Sequence, residues 1–275
     1  MSPRTWFAPA LVFAVLQLFI AAYLWQPGGI RMLEILSDGL ECGAALLAAA
    51  LSFAASSRFD HGLPQRRAWF LLGTGMTLWA VAEFVWTYLQ IGTGVDVPYP
   101  SFADVIRAIG YAPLILGLYV GYRSLGVRLP IQKRLTAAII YAALLAALAG
   151  WLLAPMRADL PPSSWAEAFL GSYYLIGNLT LAFVATLSLV VLWDGLIGRP
   201  WWSITIGLLL FALSDTAFSY SVWAGSYSVG GNWLSGVIDV VHLGAYLSIA
   251  LGAYRQATLR LAHVEPPVLP SAPAA

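Results

Sequence analysis

The sequence predicts an all-α polytopic membrane protein with eight transmembrane helices. Of its 275 residues, 60% are hydrophobic and only 10% are charged, and the mean hydropathy is +0.78. A soluble domain of this length would need far more charge on its surface. Apolar segments long enough to span a bilayer recur along the chain, and stretches rich in glycine and proline separate them.

Eight apolar segments define the predicted helices. They lie at residues 6–25, 35–55, 68–91, 102–122, 134–154, 165–193, 201–222 and 233–254. The first resembles a secretory signal peptide, but it is as long as a full span and lacks a clear cleavage site, so we expect a transmembrane helix. The short connections leave no room for a soluble catalytic domain. Residues 258–275 are rich in proline and alanine, which predicts a disordered cytoplasmic tail.

The basic residues predict the orientation of these helices. Eleven of the fourteen lysines and arginines fall at the N-terminus, in the second, fourth and sixth connections, or in the tail. Cytoplasmic loops carry an excess of such residues, so both termini are predicted to be cytoplasmic. The net charge of +1 excludes the basic surface of a nucleic-acid-binding protein. The single cysteine, Cys42, excludes an internal disulfide and any CxxC metal site.

The third and seventh segments show an internal repeat. WFLLGTGMTLWAVAEFVWTY (69–88) aligns without a gap with WWSITIGLLLFALSDTAFSY (201–220), which pairs Glu83 with Asp215. The shared pattern is G-x3-[WF]-x3-[ED]-x2-[WF]-x-Y. This similarity extends into the fourth and eighth segments. There, Asp104, Arg107 and Tyr111 match Asp239, His242 and Tyr246 at the same offsets.

A further match in those segments, Gly-Tyr-Arg (121–123) with Ala-Tyr-Arg (253–255), needs a gap of three residues. The first and second segments show no convincing match to the fifth and sixth. The sequence therefore predicts two four-span repeats of the same orientation, residues 1–125 and 126–257. Chance similarity between apolar helices of biased composition is the alternative.

Ionisable and aromatic residues within the segments are the candidate site. A charge in hydrocarbon costs about 2.5–3.5 kcal/mol on insertion scales, so such side chains normally face the interior of a bundle. The predicted orientation places the acids in the outer part of the membrane. The candidate ligand-binding residues are Glu83, Asp215, Asp104, Arg107, Asp239, His242, Trp79, Trp86, Phe211, Phe218, Tyr111, Tyr246, Glu41 and Asn178.

Each of these acids also has a plain structural interpretation. Ser101 can cap the fourth helix and Asp104 can pair locally with Arg107, which would make the pair a neutralised helix start. Asp38 can cap the second helix, whereas Glu41 lies deeper. Glu83 and Asp215 each lie between aromatic residues at i−4 and i+3, where a carboxylate can hold a cation.

For this last pair of acids, two other interpretations stay open. The carboxyls can stay protonated and donate hydrogen bonds, or they can pair with Arg107 and His242 across helices. No phosphate loop, nucleophile elbow or HExxH motif is present. A metal site built from His242, Asp239, Asp215 and Glu83 is one alternative. A lone intramembrane histidine is more often hydrogen-bonded, so the sequence predicts neither a metal nor a cofactor.

The stretch PYPSFADVIRAIGY (98–111) resembles part of an uncharacterised multi-span region that precedes GGDEF, EAL or histidine-kinase domains in bacterial signalling proteins. The aromatic-acid span around Glu83, the Asp215 span, the AGSYSVGGN loop and the Gly236–Asp239 start of the last span are also similar. The chain departs from this pattern at Asn178, where an aspartate is expected, and at Arg107, where an apolar or aromatic residue is expected. A third expected departure is that no effector domain follows the last span.

This resemblance implies a sensor or receptor module in the bacterial inner membrane. A small-molecule or cationic ligand would enter an outward-facing acidic and aromatic cavity, and the chain would signal to a separate cytoplasmic protein. Two alternatives remain from the residues themselves. Parallel repeats with paired intramembrane acids are also typical of a small proton- or cation-coupled transporter, and carboxylates can serve a membrane-embedded enzyme acting on lipid. The sequence favours a protein that is not an enzyme.

Overall fold

The computed structural model describes residues 4–93, 100–126, 130–150, 165–191 and 198–259. These residues form eight long helices and no strand. The helices are α1 (Arg4–Trp25), α2 (Gly29–Ser56), α3 (Pro64–Thr87), α4 (Phe102–Ser124), α5 (Ile131–Leu148), α6 (Trp165–Val191), α7 (Gly198–Trp223) and α8 (Trp233–Thr258). All eight are long and apolar enough to cross a membrane, which confirms the predicted all-α polytopic fold.

Local sequence explains several helix ends. α3 begins with Pro64 in its first turn, where a missing N–H costs nothing, and a π-helical turn, Tyr88–Gly92, extends it. α2 begins at Gly29, not at the predicted residue 35, because Arg31 and Glu34 in its first turns lower the hydropathy without ending the helix. Parts of three predicted features lie outside the described residues. They are the ends of the fifth and sixth predicted segments (151–154 and 192–193) and residues 260–275 of the predicted tail.

Six of the helices form the central bundle. α3 packs along α4, and α7 packs along α8. α2 lies between α3 and α8, while α6 lies between α7 and α4. α1 packs on α8 and α5 packs on α6, both at the periphery. Each half therefore contributes three helices to the centre, and its second helix also contacts the other half.

Glycines at equivalent positions bring α4 against α3 and α8 against α7. A Cβ atom added to Gly117 would lie 2.9 Å from the carbonyl oxygen of Ala68. A Cβ atom added to Gly252 would lie 2.8 Å from the carbonyl oxygen of Pro200. Gly117 and Gly252 have the same spacing as Asp104 and Asp239. The contacts therefore follow an ungapped register, and the three-residue gap inferred for the Tyr-Arg match is not the structural alignment.

Corresponding aromatic residues of α3 and α7 contact one another along the whole interface. The centroid distances are 6.1 Å for Trp69–Trp201, 5.0 Å for Trp79–Phe211 and 6.5 Å for Trp86–Phe218. Because the three contacts occur in the same order on both helices, α3 and α7 run parallel. Contact between matched residues is the relation that a two-fold axis between the helices would produce. The division into repeats at residues 1–125 and 126–257 stays a prediction.

Candidate functional site

Two acids and two bases form a ring at the centre of the bundle. Arg107 of α4 donates to Glu83 of α3 at 2.8 Å, and its second terminal nitrogen lies 3.3 Å from Asp215 of α7. His242 of α8 contacts the same two acids, with Nε2 3.5 Å from Glu83 and Nδ1 3.4 Å from Asp215. Each base thus contacts one acid of its own half and one of the other.

Aromatic rings support the two bases in matching ways. The guanidinium carbon of Arg107 lies 5.2 Å from the ring centroid of Trp79, and the Trp79 indole N–H donates to the Arg107 carbonyl oxygen at 3.1 Å. On the other side the ring of Phe211 packs edge-on against His242 at 5.0 Å. Both Trp79 and Phe211 are fully buried. The aromatic residues predicted to line the acids therefore hold the bases in place.

Hydroxyl and amide donors complete the network. Tyr246 donates to Glu83 at 2.6 Å. The Asn178 amide donates to Asp215 at 2.7 Å, and Tyr111 donates to the Asn178 carbonyl oxygen at 2.8 Å. The two matched tyrosines thus serve one acid each, although Tyr111 acts through Asn178. The predicted pairing of Glu83 and Asp215 with bases on other helices is the arrangement found here.

Glu41 of α2 joins this network on the His242 side. Its Oε2 atom lies 3.9 Å from His242 Nε2, which is too long for a hydrogen bond. No hydrogen-bond donor among the described residues contacts Glu41. One turn earlier on α2, Asp38 Oδ2 is buried and also has no partner within the described part of the chain. Because α2 begins at Gly29, Asp38 does not cap the helix, contrary to the prediction.

The other two predicted acids point away from the ring. Asp104 closes a capping box with Ser101, whose N–H and hydroxyl both donate to Asp104 Oδ2, at 2.7 and 2.9 Å. Tyr174 of α6 donates to its other oxygen at 2.9 Å. The predicted helix cap is therefore confirmed. The predicted local pair of Asp104 with Arg107 is not formed, because the arginine extends towards Glu83 and Asp215.

Asp239 is likewise engaged by tyrosines. Tyr227, in the connection before α8, donates to Asp239 Oδ1 at 2.7 Å, and Tyr23 of α1 donates to Oδ2. Burial and the neighbouring carboxylate raise the pKa of Tyr227 well above its ordinary value, so its hydroxyl keeps its proton and remains a donor. Neither tyrosine was identified from the sequence, because nothing in the local pattern links them to Asp239, which lies far from Tyr23 in the chain.

Trp86 and Phe218 form the end of the site nearest the α7–α8 connection. Their rings contact each other, and Phe218 also packs against Tyr227 at 4.8 Å. The charged side chains below them, Glu83, Asp215, Arg107, His242 and Glu41, keep 10% to 16% of their surface exposed. A water-sized molecule can therefore touch each of these side chains.

The position of the site residues within each helix shows how far along the bundle the site lies. Glu83 and Asp215 lie in the last third of α3 and α7, while Arg107, His242 and Glu41 lie in the first half of α4, α8 and α2. The network therefore lies towards the end of the bundle at which α4 and α8 begin. The basic residues predict that this end faces outwards.

Comparisons with family models, with curated proteins and with solved structures give no match for this chain. The fold and the site define a class by themselves. The protein is an all-α integral membrane protein with a buried ionic network between its helices. The resemblance of its PYPSFAD segment to bacterial sensor regions stays an expectation.

Proposed function

We propose that the protein is a membrane sensor module whose two halves are connected by the buried ring of Glu83, Asp215, Arg107 and His242. A cation or small ligand that enters this ring changes how the halves pack. The altered cytoplasmic ends of the helices then act on a separate signalling protein. A ligand can shift such an equilibrium only by binding the two arrangements differently, and a charged ring offers that difference.

One observation carries the proposal: Arg107 is bound to Glu83 in its own half and to Asp215 in the other half. A single guanidinium therefore bridges the two halves, in addition to the packing of α2 on α8 and of α6 on α4. Any ligand that competes for either carboxylate weakens this connection directly. Buried ion pairs are also poor devices for stability alone, because desolvation offsets most of the Coulomb attraction. A role in switching is consistent with this near-cancellation of the desolvation cost and the Coulomb attraction.

Apolar packing below the ring favours a sensor over a carrier. Between the ring and the opposite end, the centre of the bundle is filled by buried Met76, Leu114, Leu118, Leu181, Ile204 and Leu208. A small cavity among them is lined by these residues and a few others, of which only Ser52 is polar. Transport would need a polar path through this layer in at least one state. Among the described residues the buried acids Glu83, Asp104 and Asp239 lie towards the ring end, whereas the buried polar residues nearer the other end, Ser188, Ser203 and Thr205, are uncharged.

The test measures whether the ring controls the cytoplasmic end of the bundle. Nitroxide labels are placed on cysteines at Ser57 and Arg199, which are exposed positions in different halves, in a Cys42→Ser background. The distance distribution between them is measured by pulsed electron paramagnetic resonance in nanodiscs. We expect Glu83→Gln/Asp215→Asn to shift this distribution, and the surface variant Asp60→Asn to leave it unchanged.

Two results would overturn the sensor proposal. One is an unchanged distance distribution in a Glu83→Gln/Asp215→Asn protein that elutes as a folded monodisperse species. The other is proton flux into proteoliposomes, followed with an enclosed pH-sensitive dye, that disappears in the same variant. The second result would make the protein a proton-coupled carrier.

A further inference from the structure

We propose that Glu41, Glu83 and His242 form a binding site for a divalent transition-metal ion of the zinc class. This inference rests on the proposed function, since it names the cation that the ring would sense. The set differs from the one considered from the sequence. Asp239 is engaged by tyrosines, and Glu41 takes its place.

The spacing of the candidate ligand atoms is close to that of a coordination sphere. One ligand atom from each of the three residues lies within 4.8 Å of the others. His242 Nε2 is 3.5 Å from Glu83 Oε1 and 3.9 Å from Glu41 Oε2. Zinc bonds of about 2.0–2.2 Å in a tetrahedral site place ligand atoms roughly 3.3–3.6 Å apart. Small side-chain adjustments would bring all three onto one ion.

The second nitrogen of His242 is held as in a metal-bound histidine. Nδ1 lies 3.4 Å from Asp215 Oδ1 and 3.3 Å from the hydroxyl of Ser214. A proton on Nδ1 that is donated to the Ser214 hydroxyl or towards the Asp215 carboxylate leaves Nε2 with a free lone pair. Nε2 faces Glu41 and Glu83. Metal-bound histidines nearly always donate their other N–H to a carboxylate, carbonyl or water in this way.

The two carboxylates retain unused oxygen atoms. Glu83 Oε1, the oxygen measured from His242 Nε2, accepts from Arg107 and Tyr246, which orients the carboxylate. No donor in the described part of the chain reaches Oε2, so a small rotation of the carboxylate would bind the ion through Oε2. Glu41 accepts no hydrogen bond from any described residue, although its side chain is only 14% exposed. A buried carboxylate without a donor is costly, and a bound cation removes that cost.

The charge of the network is compatible with a divalent cation. Glu41, Glu83 and Asp215 carry three negative charges when ionised, and Arg107 compensates one of them. A divalent ion beside a neutral His242 would bring the network to zero net charge. This balance matters because an uncompensated charge between transmembrane helices is expensive.

The chemical types of the three ligand atoms indicate which class of metal ion the site would prefer. One imidazole nitrogen with two carboxylate oxygens suits zinc and its transition-metal neighbours, whereas magnesium and calcium prefer oxygen ligands alone. Three protein ligands leave a fourth position of the tetrahedron for water or a ligand. Glu41, Glu83 and His242 each keep 10% to 14% of their side-chain surface exposed, which is consistent with such a position.

The test uses the full chain in nanodiscs after removal of metals with EDTA. Zinc affinity is measured by isothermal titration calorimetry, and bound zinc is counted by mass spectrometry after dialysis. X-ray absorption spectra of the loaded protein report the ligands. We expect one zinc per chain, nitrogen and oxygen ligands near 2.0 Å with the scattering of one imidazole, and no comparable binding of Mg²⁺.

Matched variants locate the ion. Glu41→Gln and His242→Asn should abolish stoichiometric binding, whereas Asp215→Asn should weaken it by roughly 10–100-fold, the usual effect of losing an outer partner of a ligand. Glu34→Gln is the control, because it changes the same residue type two turns earlier on α2, and it should bind zinc as the wild type does. His61→Asn tests for zinc at a surface histidine and should also leave binding unchanged.

The proposal is overturned if no stoichiometric zinc binds, if binding survives both Glu41→Gln and His242→Asn, or if the spectra lack an imidazole. Size-exclusion profiles and melting temperatures of the variants separate loss of the site from loss of the fold. Failure here is distinct from failure of the sensor proposal. The label distances can respond to Glu83→Gln/Asp215→Asn without any metal, and zinc can bind without moving the labels.

Discussion

Arg107 and His242 occupy matching positions between the same two carboxylates, those of Glu83 and Asp215. The two bases differ in chemistry although their positions correspond. Arginine always carries its charge and can reach both acids with separate N–H groups, whereas histidine can be neutral and can ligate a metal. The Arg107 side of the ring is therefore a permanent ion pair, whereas His242 on the other side can change its charge and its partners.

Replacing Arg107 by methionine should lower the free energy of unfolding by about 3–5 kcal/mol, because it leaves two buried carboxylates without their cation. Arg107→Lys should fall between this variant and the wild type, since one ammonium cannot match the forked contacts. The measurement is the shift in thermal unfolding in a defined detergent.

The matched control for this prediction is Arg31→Met. Arg31 pairs with Glu34 on the surface of α2, where its side chain is 55% exposed. Such a pair contributes at most about 1 kcal/mol. If the two methionine variants unfold at the same temperature, the buried ring does not stabilise the fold as described.

Replacing Gly252 by alanine should destabilise the protein by about 1–3 kcal/mol, because the new methyl group would lie 2.8 Å from the Pro200 carbonyl oxygen and push α8 away from α7. Gly117→Ala should behave alike at the equivalent contact with Ala68. Gly39→Ala, whose methyl group would meet nothing within 4 Å, should have no destabilising effect. The measurement is the melting temperature of each of the three variants. Equal melting temperatures for Gly252→Ala, Gly117→Ala and Gly39→Ala would contradict the close helix contacts at Gly252 and Gly117.

Replacing Ser101 by alanine should cost about 0.5–2 kcal/mol, because the capping box at the start of α4 loses its hydroxyl. Hydrogen exchange should show faster exchange in the first turn of α4 and little change elsewhere. Ser57→Ala provides the comparison, since this serine is exposed and its hydroxyl contacts only the Ala54 carbonyl oxygen among the described residues. Protection in the first turn that survives in Ser101→Ala would refute the capping role.

The predicted orientation is tested by labelling single cysteines in the Cys42→Ser background. Ala224→Cys lies at an exposed position after α7. It should react with a membrane-impermeant maleimide that reaches the outer face of the membrane containing the protein while this membrane stays sealed. Ser57→Cys should react only after the membrane is permeabilised. The opposite pattern would place the ionic ring at the cytoplasmic end of the bundle and contradict the sensor topology.

Much of this protein was determined by its sequence alone, because the features concerned are local. Hydropathy marks each span from its own residues. The match of Glu83 with Asp215 needs only a comparison of two segments. The Ser101–Asp104 cap follows from residues three positions apart, and the structure shows that cap.

The tertiary structure decided which side chains meet. Arg107 was within reach of Asp104 on its own helix, yet it binds Glu83 and Asp215, because the rotation of α4 directs it into the bundle. Tyr23 engages Asp239 from across the chain, and Glu41 reaches His242. These contacts depend on how helices distant in sequence are rotated and packed, and no local periodicity contains that information.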